Sequence, residues 1–245
     1  MGFIWRGDPA LIHLRDLLRA GEIGEVREIR SASLLAVPVL PMNWMYEAGT
    51  GGGTLAQHGS HVFDWARWLI GADIAEVHGT LAHDVRSAPD AGHVHDLGEA
   101  LGGVLPAQER GRFRPVLTDS GYDVRARFAD GVRGTFWEAW HQAGPHDDHV
   151  LVHGEKGALE WRGSGGLTLH RVGAEPLALP LPGTAASGRA AGMERWSDLT
   201  HRFIGGIRKG TSRPEHATFD DGWQAAAVVG AVRRSDASGQ WEKVA

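Results

Sequence analysis

The side chains with the most chemistry in this 245-residue chain lie between Gly51 and Gly71, in the run GGGTLAQHGSHVFDWARWLIG. At 3.6 residues per turn, spacings of four, three and four place Gln57, His61, Asp64 and Trp68 in one narrow stripe, with Leu55, Val62, Ala66 and Leu69 on the opposite side. One face is then core, and the other presents an amide, an imidazole, a carboxylate and an indole. That set can bind a polyhydroxylated ligand and move a proton. His61 is the natural acid/base, because an imidazole with a reference pKa near ~6.5 accepts and returns a proton around neutrality. Gln57 can hold a hydroxyl or orient the imidazole but cannot be a base. The three glycines remove side chains where the backbone would approach a ring or a phosphate, and they leave the first N–H groups of the helix free. Two other readings of the same letters stand beside this one. The helix can be an ordinary capped amphipathic helix with its polar side in water, or His58 and His61 can be metal ligands at i, i+3, without the adjacent acidic cluster a metal site usually has.

Further candidates flank this helix. Asn43 and Trp44 lie just before the glycines, in a loop able to cap a sugar, and His141 follows Trp140 at the end of a strand that can line the same cavity. Arg6 stands near the start of the chain and can face cofactor or substrate. His146-Asp147-Asp148-His149 resembles a metal cluster by letters, but after Gly144-Pro145 it reads as a solvated turn, as do His93 and His95.

These residues need elements to hold them. Asp8-Pro9 followed by ALIHLRDLLRAG predicts a helix capped by Asp8, with Pro9 at its first position and Gly21 at its end. Glu25–Arg30 alternates like a strand with one wet face, and Val37–Thr50, with Pro38 and Pro41, reads as a loop. Ile74–Leu81 is expected to be a strand, and residues Ala88 to Gly111 an exposed excursion rich in Gly, Pro, His and acid. Strands are expected at Tyr122–Phe128, Gly134–Trp140, Val150–Val152, Ala158–Trp161 and Leu167–Val172. A Pro/Gly/Ala loop follows over Leu177–Gly192, then helices over about Met193–Lys209 and Phe219–Ser235. The order is that of one α+β domain over residues 1–245: a large, mainly antiparallel open sheet with helices on one face. The uncovered face is left to water or to a second copy.

Composition bounds the function. A formal net charge of −5 and only three lysines give no clustered positive field, which argues against nucleic acid. The absence of cysteine excludes disulfide and thiolate chemistry. No apolar run approaches the ~20 residues of a membrane span, and the N-terminus has no signal-peptide pattern, so a cytoplasmic protein is expected. Ten tryptophans suit either sugar rings or a broad sheet–helix interface.

The run Gly-Gly-Gly-x-Leu-x-x-x-Gly-Ser-His-x-x-Asp-x-x-Arg-Trp-Leu-x-Gly resembles the central motif of the glucose–fructose oxidoreductase / inositol dehydrogenase (Gfo/Idh/MocA) family. So do Arg6-x-x-Pro9-Ala10-Leu11 through Val26, Phe128-Ala-Asp-Gly131-Val-Arg-Gly134, Gly154-Glu-Lys-Gly157-Ala-Leu159, Phe219-Asp220-Asp221-Gly222-Trp223 and Arg234-Ser235-Asp-Ala-Ser-Gly239. The resemblance implies an NAD(P)-dependent oxidoreductase acting on a sugar, polyol or related hydroxyl compound. It also implies homo-oligomerisation through the open sheet and a separate Rossmann domain for NAD or NADP. His61 matches the family's catalytic histidine and Arg6 a position near the cofactor. The family's aspartate position holds Gln57, and its Glu-Lys-Pro motif does not occur. Gly51-x-Gly53-x-x-Ala56 fits the letters of a dinucleotide fingerprint, but it follows a loop and not a strand. The chain therefore reads as the catalytic and substrate-binding half of such an enzyme. The alternatives are a non-catalytic carbohydrate-binding or oligomerisation module, and a metal-dependent isomerase or hydrolase using His61, Asp64 and the His146–His149 cluster.

Overall fold

A computed structural model describes residues 2–90, 92, 94, 111–145, 147–163, 166–181, 188–211 and 216–245, with side chains of 188–194 left aside. The first helix, α1, spans Pro9–Arg19, and the Asp8 carboxylate accepts from Ala10 N at 2.9 Å. Strand β1 runs Val26–Leu35, five residues beyond its expected end, and the loop after it carries only single 3-10 turns at Trp44–Tyr46 and Ala48–Thr50. The central helix α2 spans Ser60–Ile70 and ends on Gly71 in the left-handed region (φ +83°). It is preceded by a π-helical turn over Leu55–Gly59.

There follow β2 (Ile74–Ala82), β3 (Ser87–Pro89), β4 (Phe113–Pro115), β5 (Gly121–Phe128), β6 (Arg133–Trp140), β7 (Asp147–Gly154), β8 (Gly157–Arg162), β9 (Gly166–Arg171) and β10 (Leu177–Leu179). Helices α3 (Gly188–Lys209) and α4 (Phe219–Ser238) and the short strand β11 (Glu242–Lys243) close the chain. Nine strands form one sheet in the order β10-β9-β8-β7-β1-β6-β5-β2-β11, and only the β1–β6 pair is parallel. The fold is α+β, with a large and mainly antiparallel sheet.

One sheet face carries the core. Ile29, Val124, Phe136, Val150, Val152, Leu159 and Leu167 point inward against Leu11 and Leu14 of α1, Phe63 and Ala66 of α2, and Val228 and Val232 of α4. Phe63 meets Phe136 edge-on at 5.6 Å between ring centres, so α2 lies directly on the middle of the sheet. The opposite face shows Arg30, Arg125, Arg127, Arg133 and Trp137 to solvent.

Three local expectations change. Asp147–His149 is strand and not a solvated turn: Ser33 Oγ donates to Asp148 Oδ1 at 2.6 Å, and His149 Nε2 lies 3.1 Å from Glu160 Oε1. The excursion begins as a paired ribbon, β3 on β4, with Ala88 fully buried, and most of Ala88–Gly111, with His93 and His95, lies outside the described residues, as does His146. The span expected as a loop over Leu177–Gly192 contains β10 and the first turn of α3. No helix among the described residues is long and apolar enough to cross a membrane.

Candidate active site

The α2 stripe is real, but it does not open as one polar face. The π-helical turn widens the backbone at Gln57 and His58 and rotates them relative to the regular helix that follows. A 3-10 turn at Ile4–Gly7 then lays the N-terminal segment along the stripe, one residue at a time. Phe3 meets the His61 ring edge-on at 5.4 Å, Trp5 meets His58 at 6.1 Å, and Arg6 clasps Asp64. The far side behaves as expected: Leu55, Val62, Ala66 and Leu69 are all buried.

Asp64 is corrected from substrate ligand to structural anion. It is fully buried, and both its oxygens are held, Oδ2 by Arg6 Nε at 2.8 Å and Oδ1 by Arg6 Nη2 at 2.6 Å. Burial pushes its carboxyl up to about 6, against the pull of Arg6. Arg6 is corrected with it. The same Nη2 also donates to Asp221 Oδ1 of α4 at 2.7 Å, so this guanidinium pins three elements together and has no face left for a cofactor. Trp68 is buried as well, with the Arg15 guanidinium 4.3 Å from its ring centre.

Gln57 and His141 do meet. They line a narrow cleft together with Tyr46, Asp119, Ser120 and Trp140, where the loop before α2 closes on the ends of β5 and β6. His141 has a positive φ of 61° although it is not glycine. Its Nδ1 lies 3.1 and 3.0 Å from the carbonyls of Val37 and Pro38, which places the proton on Nδ1 and leaves Nε2 to accept from Tyr46 Oη at 3.1 Å. The loop reaches the cleft through Met45 and Tyr46, not through the expected pair. Asn43 is a buried cap, its Oδ1 accepting from Met45 N at 3.0 Å and its Nδ2 donating to Pro41 O at 2.7 Å, and Trp44 is outside the cleft lining.

The glycine triplet serves packing. A Cβ on Gly52 would stand 2.4 Å from Met45 O, and one on Gly53 would stand 2.2 Å from Asp119 Oδ1. The helix-start N–H groups are not free either. Gly53 N donates to Met45 O at 2.8 Å and Leu55 N to Asp119 Oδ2 at 2.7 Å, so Asp119 caps the helix from 64 residues away. Asp119 escaped the sequence reading because a cap is sought beside its helix.

Gln57 Oε1, His58 Nδ1, His61 Nδ1 and Glu138 Oε2 are among the buried side-chain polar atoms that have no hydrogen-bond partner among the described residues. Buried polar atoms are nearly always paired, so Gln57 Oε1 and His61 Nδ1, one turn apart on the stripe, stand out as acceptors for a ligand. Burial, and then the neighbouring His58, push the His61 imidazole down to about 4, which keeps it uncharged and able to accept a proton at neutrality.

Behind this pair lies a cluster that the sequence reading missed. Tyr122, Glu138, Ser33 and Asp148 stand side by side across β5, β6, β1 and β7, one row beyond Val124, Phe136, Ser31 and Val150. Glu138 is 1% exposed, takes the Trp140 Nε1 hydrogen bond at 2.5 Å and lies 2.8 Å from His58 Nδ1. The available signal was the alternation of β6, in which Gly134, Phe136 and Glu138 share the inward face.

Among the described residues no group of three or more His, Cys, Asp or Glu is arranged to hold a metal ion. A dinucleotide needs free backbone N–H groups at a glycine turn between strand and helix. Here those groups are taken by Met45 and Asp119, and Arg6 is locked in ion pairs. The described residues do not by themselves fit a nicotinamide dinucleotide.

Residues 11–160 match the family described as the GFO/IDH/MocA C-terminal domain. The levoglucosan dehydrogenase of Pseudarthrobacter phenanthrenivorans is 26% identical over 268 residues, covering 100% of this chain and 66% of that protein. The glucose-fructose oxidoreductase domain-containing protein 1 of Mus musculus is 24% identical over 268 residues, covering 100% of this chain and 63% of its own length. The chain thus spans just under two thirds of these curated relatives. Among solved structures, a levoglucosan dehydrogenase in complex with NADH and L-sorbose superposes with a TM-score of 0.80 at 22% identity, over 99% of this chain and 65% of that one; at this identity the likeness shows the fold.

Proposed function

The chain belongs to the Gfo/Idh/MocA family as a C-terminal domain, and on that premise we propose that it is the substrate-binding and proton-handling half of an NAD(P)-dependent oxidoreductase of sugars or polyols. The observation that carries this reading is a pair of buried, unpartnered polar atoms on one helix stripe, Gln57 Oε1 in the cleft lined by Tyr46, Asp119 and His141 and His61 Nδ1 one turn further along, under Phe3. A polyol hydroxyl is a donor that can satisfy such acceptors, and an uncharged imidazole can take the hydroxyl proton as the carbon is oxidised. Gln57 positions that hydroxyl but cannot share the proton. His141, held by Tyr46 and two carbonyls, fixes the far wall.

In this reading the nicotinamide is presented by a nucleotide-binding half, in the same polypeptide or in a partner, because nothing described here fits it. The levoglucosan dehydrogenase solved in complex with NADH and L-sorbose supports the ligand class. The open sheet face, with Trp137 44% exposed among arginines, is proposed as the contact between copies in a homo-oligomer.

The test supplies the nucleotide-binding half, fused or co-expressed, and follows nicotinamide absorbance with a panel of sugars and polyols. His61→Ala is expected to lower turnover by about 10²–10⁴-fold. Full activity in that variant would remove His61 from the mechanism. Calorimetric binding of polyols without turnover in the assembled protein would favour the reading as a non-catalytic carbohydrate-binding module, for which the glutamine at position 57 speaks.

A further inference from the structure

His58 stands between the assigned base and the polar row of the sheet, and its surroundings define its charge. From β6, Glu138 lies 2.8 Å from Nδ1; from β7, Asp148 also faces the ring; and from β5, Tyr122 donates its hydroxyl to Glu138. Trp140 adds a second donor to the same carboxylate, at 2.5 Å from Oε1. These donors converge on a carboxylate that is only 1% exposed. The other charges near this end of α2 are already matched. Arg6 pairs with Asp64 and Asp221, and Arg195 of α3 pairs with Asp8 while lying over the Trp5 ring at 4.2 Å. His58 is thus placed beside Glu138, and a buried carboxylate with an adjacent cation is far less costly than one alone. On its other side, the His58 ring centre is 6.3 Å from that of His61.

We propose that His58 and Glu138 form a buried imidazolium–carboxylate pair that positions His61, holding the second imidazole uncharged and ready to accept. The proposal rests on the reading of His61 as proton acceptor. His58 is a positioning residue in this scheme: it touches neither substrate nor cofactor. Two imidazoles this close cannot both be cations without repulsion, so fixing the charge on His58 through Glu138 selects the neutral form of His61. The direction agrees with the shifts in the two rings, His58 raised chiefly by Glu138 against its own burial, and His61 lowered by burial and then by His58. Phe3 and Trp5 pack edge-on against His61 and His58 from the N-terminal side, leaving the His58 side chain 20% exposed.

The test is histidine ¹⁵N NMR on the full chain, with the two rings assigned through His58→Gln and His61→Gln. At pH 7 in the unaltered protein, His58 is expected to carry protons on both ring nitrogens and His61 on one, with a His61 midpoint near 4. Glu138→Gln is expected to release the His58 proton and move the His61 midpoint upward, toward 6.5. A neutral His58 at pH 7 in the unaltered protein overturns the proposal whatever the variants do. So does a His61 midpoint unmoved in a folded Glu138→Gln protein. Should that variant not fold, the double substitution His58→Leu, Glu138→Leu removes both charges together and serves in its place. None of these readouts needs turnover, so a fully active His61→Ala enzyme would sink the functional reading while leaving the charge assignment standing.

Discussion

At the scale of single residues, the Arg6–Asp64 pair shows how a polar motif position becomes architecture. Both partners are almost free of solvent, so their mutual attraction has to offset a large desolvation cost, and removing one strands the other. Arg6→Ala is expected to destabilise the fold by about 3–5 kcal/mol in urea unfolding, whereas Arg6→Met combined with Asp64→Leu recovers most of the loss. His61 makes a different prediction. Its folded pKa of about 4 lies below the ordinary 6.5, so between these values the unfolded chain binds more protons than the native one. The His61 contribution to stability is therefore present above about 6.5 and lost as pH falls toward 4. Asp64 and His58 have raised values and contribute with the opposite sign, so the measurement that isolates His61 is a difference. The stability gap between the unaltered protein and His61→Gln, from urea titrations at several pH values, should shrink from pH 7 to pH 4.

At the scale of elements, the start of α2 depends on close approaches that only glycine allows. Gly53 has a φ of +99° and Asp119 Oδ1 at 2.2 Å from where its Cβ would be. Gly21 also has a positive φ, +74°, but has nothing within 4 Å of that position. Gly21→Ala is then expected to cost about 1 kcal/mol from backbone strain, and Gly53→Ala distinctly more, because it also displaces the carboxylate that caps the helix. Thermal unfolding of the two variants side by side checks the order. The π turn matters equally at this scale. It keeps Gln57 at the cleft while the next turns carry His61 and Asp64 under the N-terminal segment, so one stripe supplies two different environments. Gly59 lets this turn lie on the Tyr122 ring, with a Cβ there only 3.0 Å from Tyr122 Cε1.

At the scale of the whole molecule, one side of the nine-stranded sheet is filled by α1, α2 and α4, and among the described residues the other is bare. The bare face is mostly charged, which suits water, but Trp137 sits in its middle, flanked in register by Ala32 and Asp123. If that face joins copies, Trp137→Glu should lower the oligomeric state seen by sedimentation velocity without loss of the fold. An unchanged assembly would place the contact elsewhere.

Much of the molecule was legible in the chain as written. The helix limits at Pro9 and Gly71, the alternation of β5 and β6 and the buried side of α2 follow from capping chemistry and from periods of 3.6 and 2, which act over a few residues. The family motif likewise singled out His61 and Gln57, because those letters lie close together. What the sequence could not decide is which polar groups meet across the fold. Asp119 caps a helix that begins 64 positions earlier, Arg6 reaches Asp64 and Asp221, and Glu138 of β6 lies beside His58 of the π turn. Pairings of that kind depend on sheet order and on where a helix settles, and both come from packing the whole core, so the partners and the charge of the site were decided by tertiary structure alone.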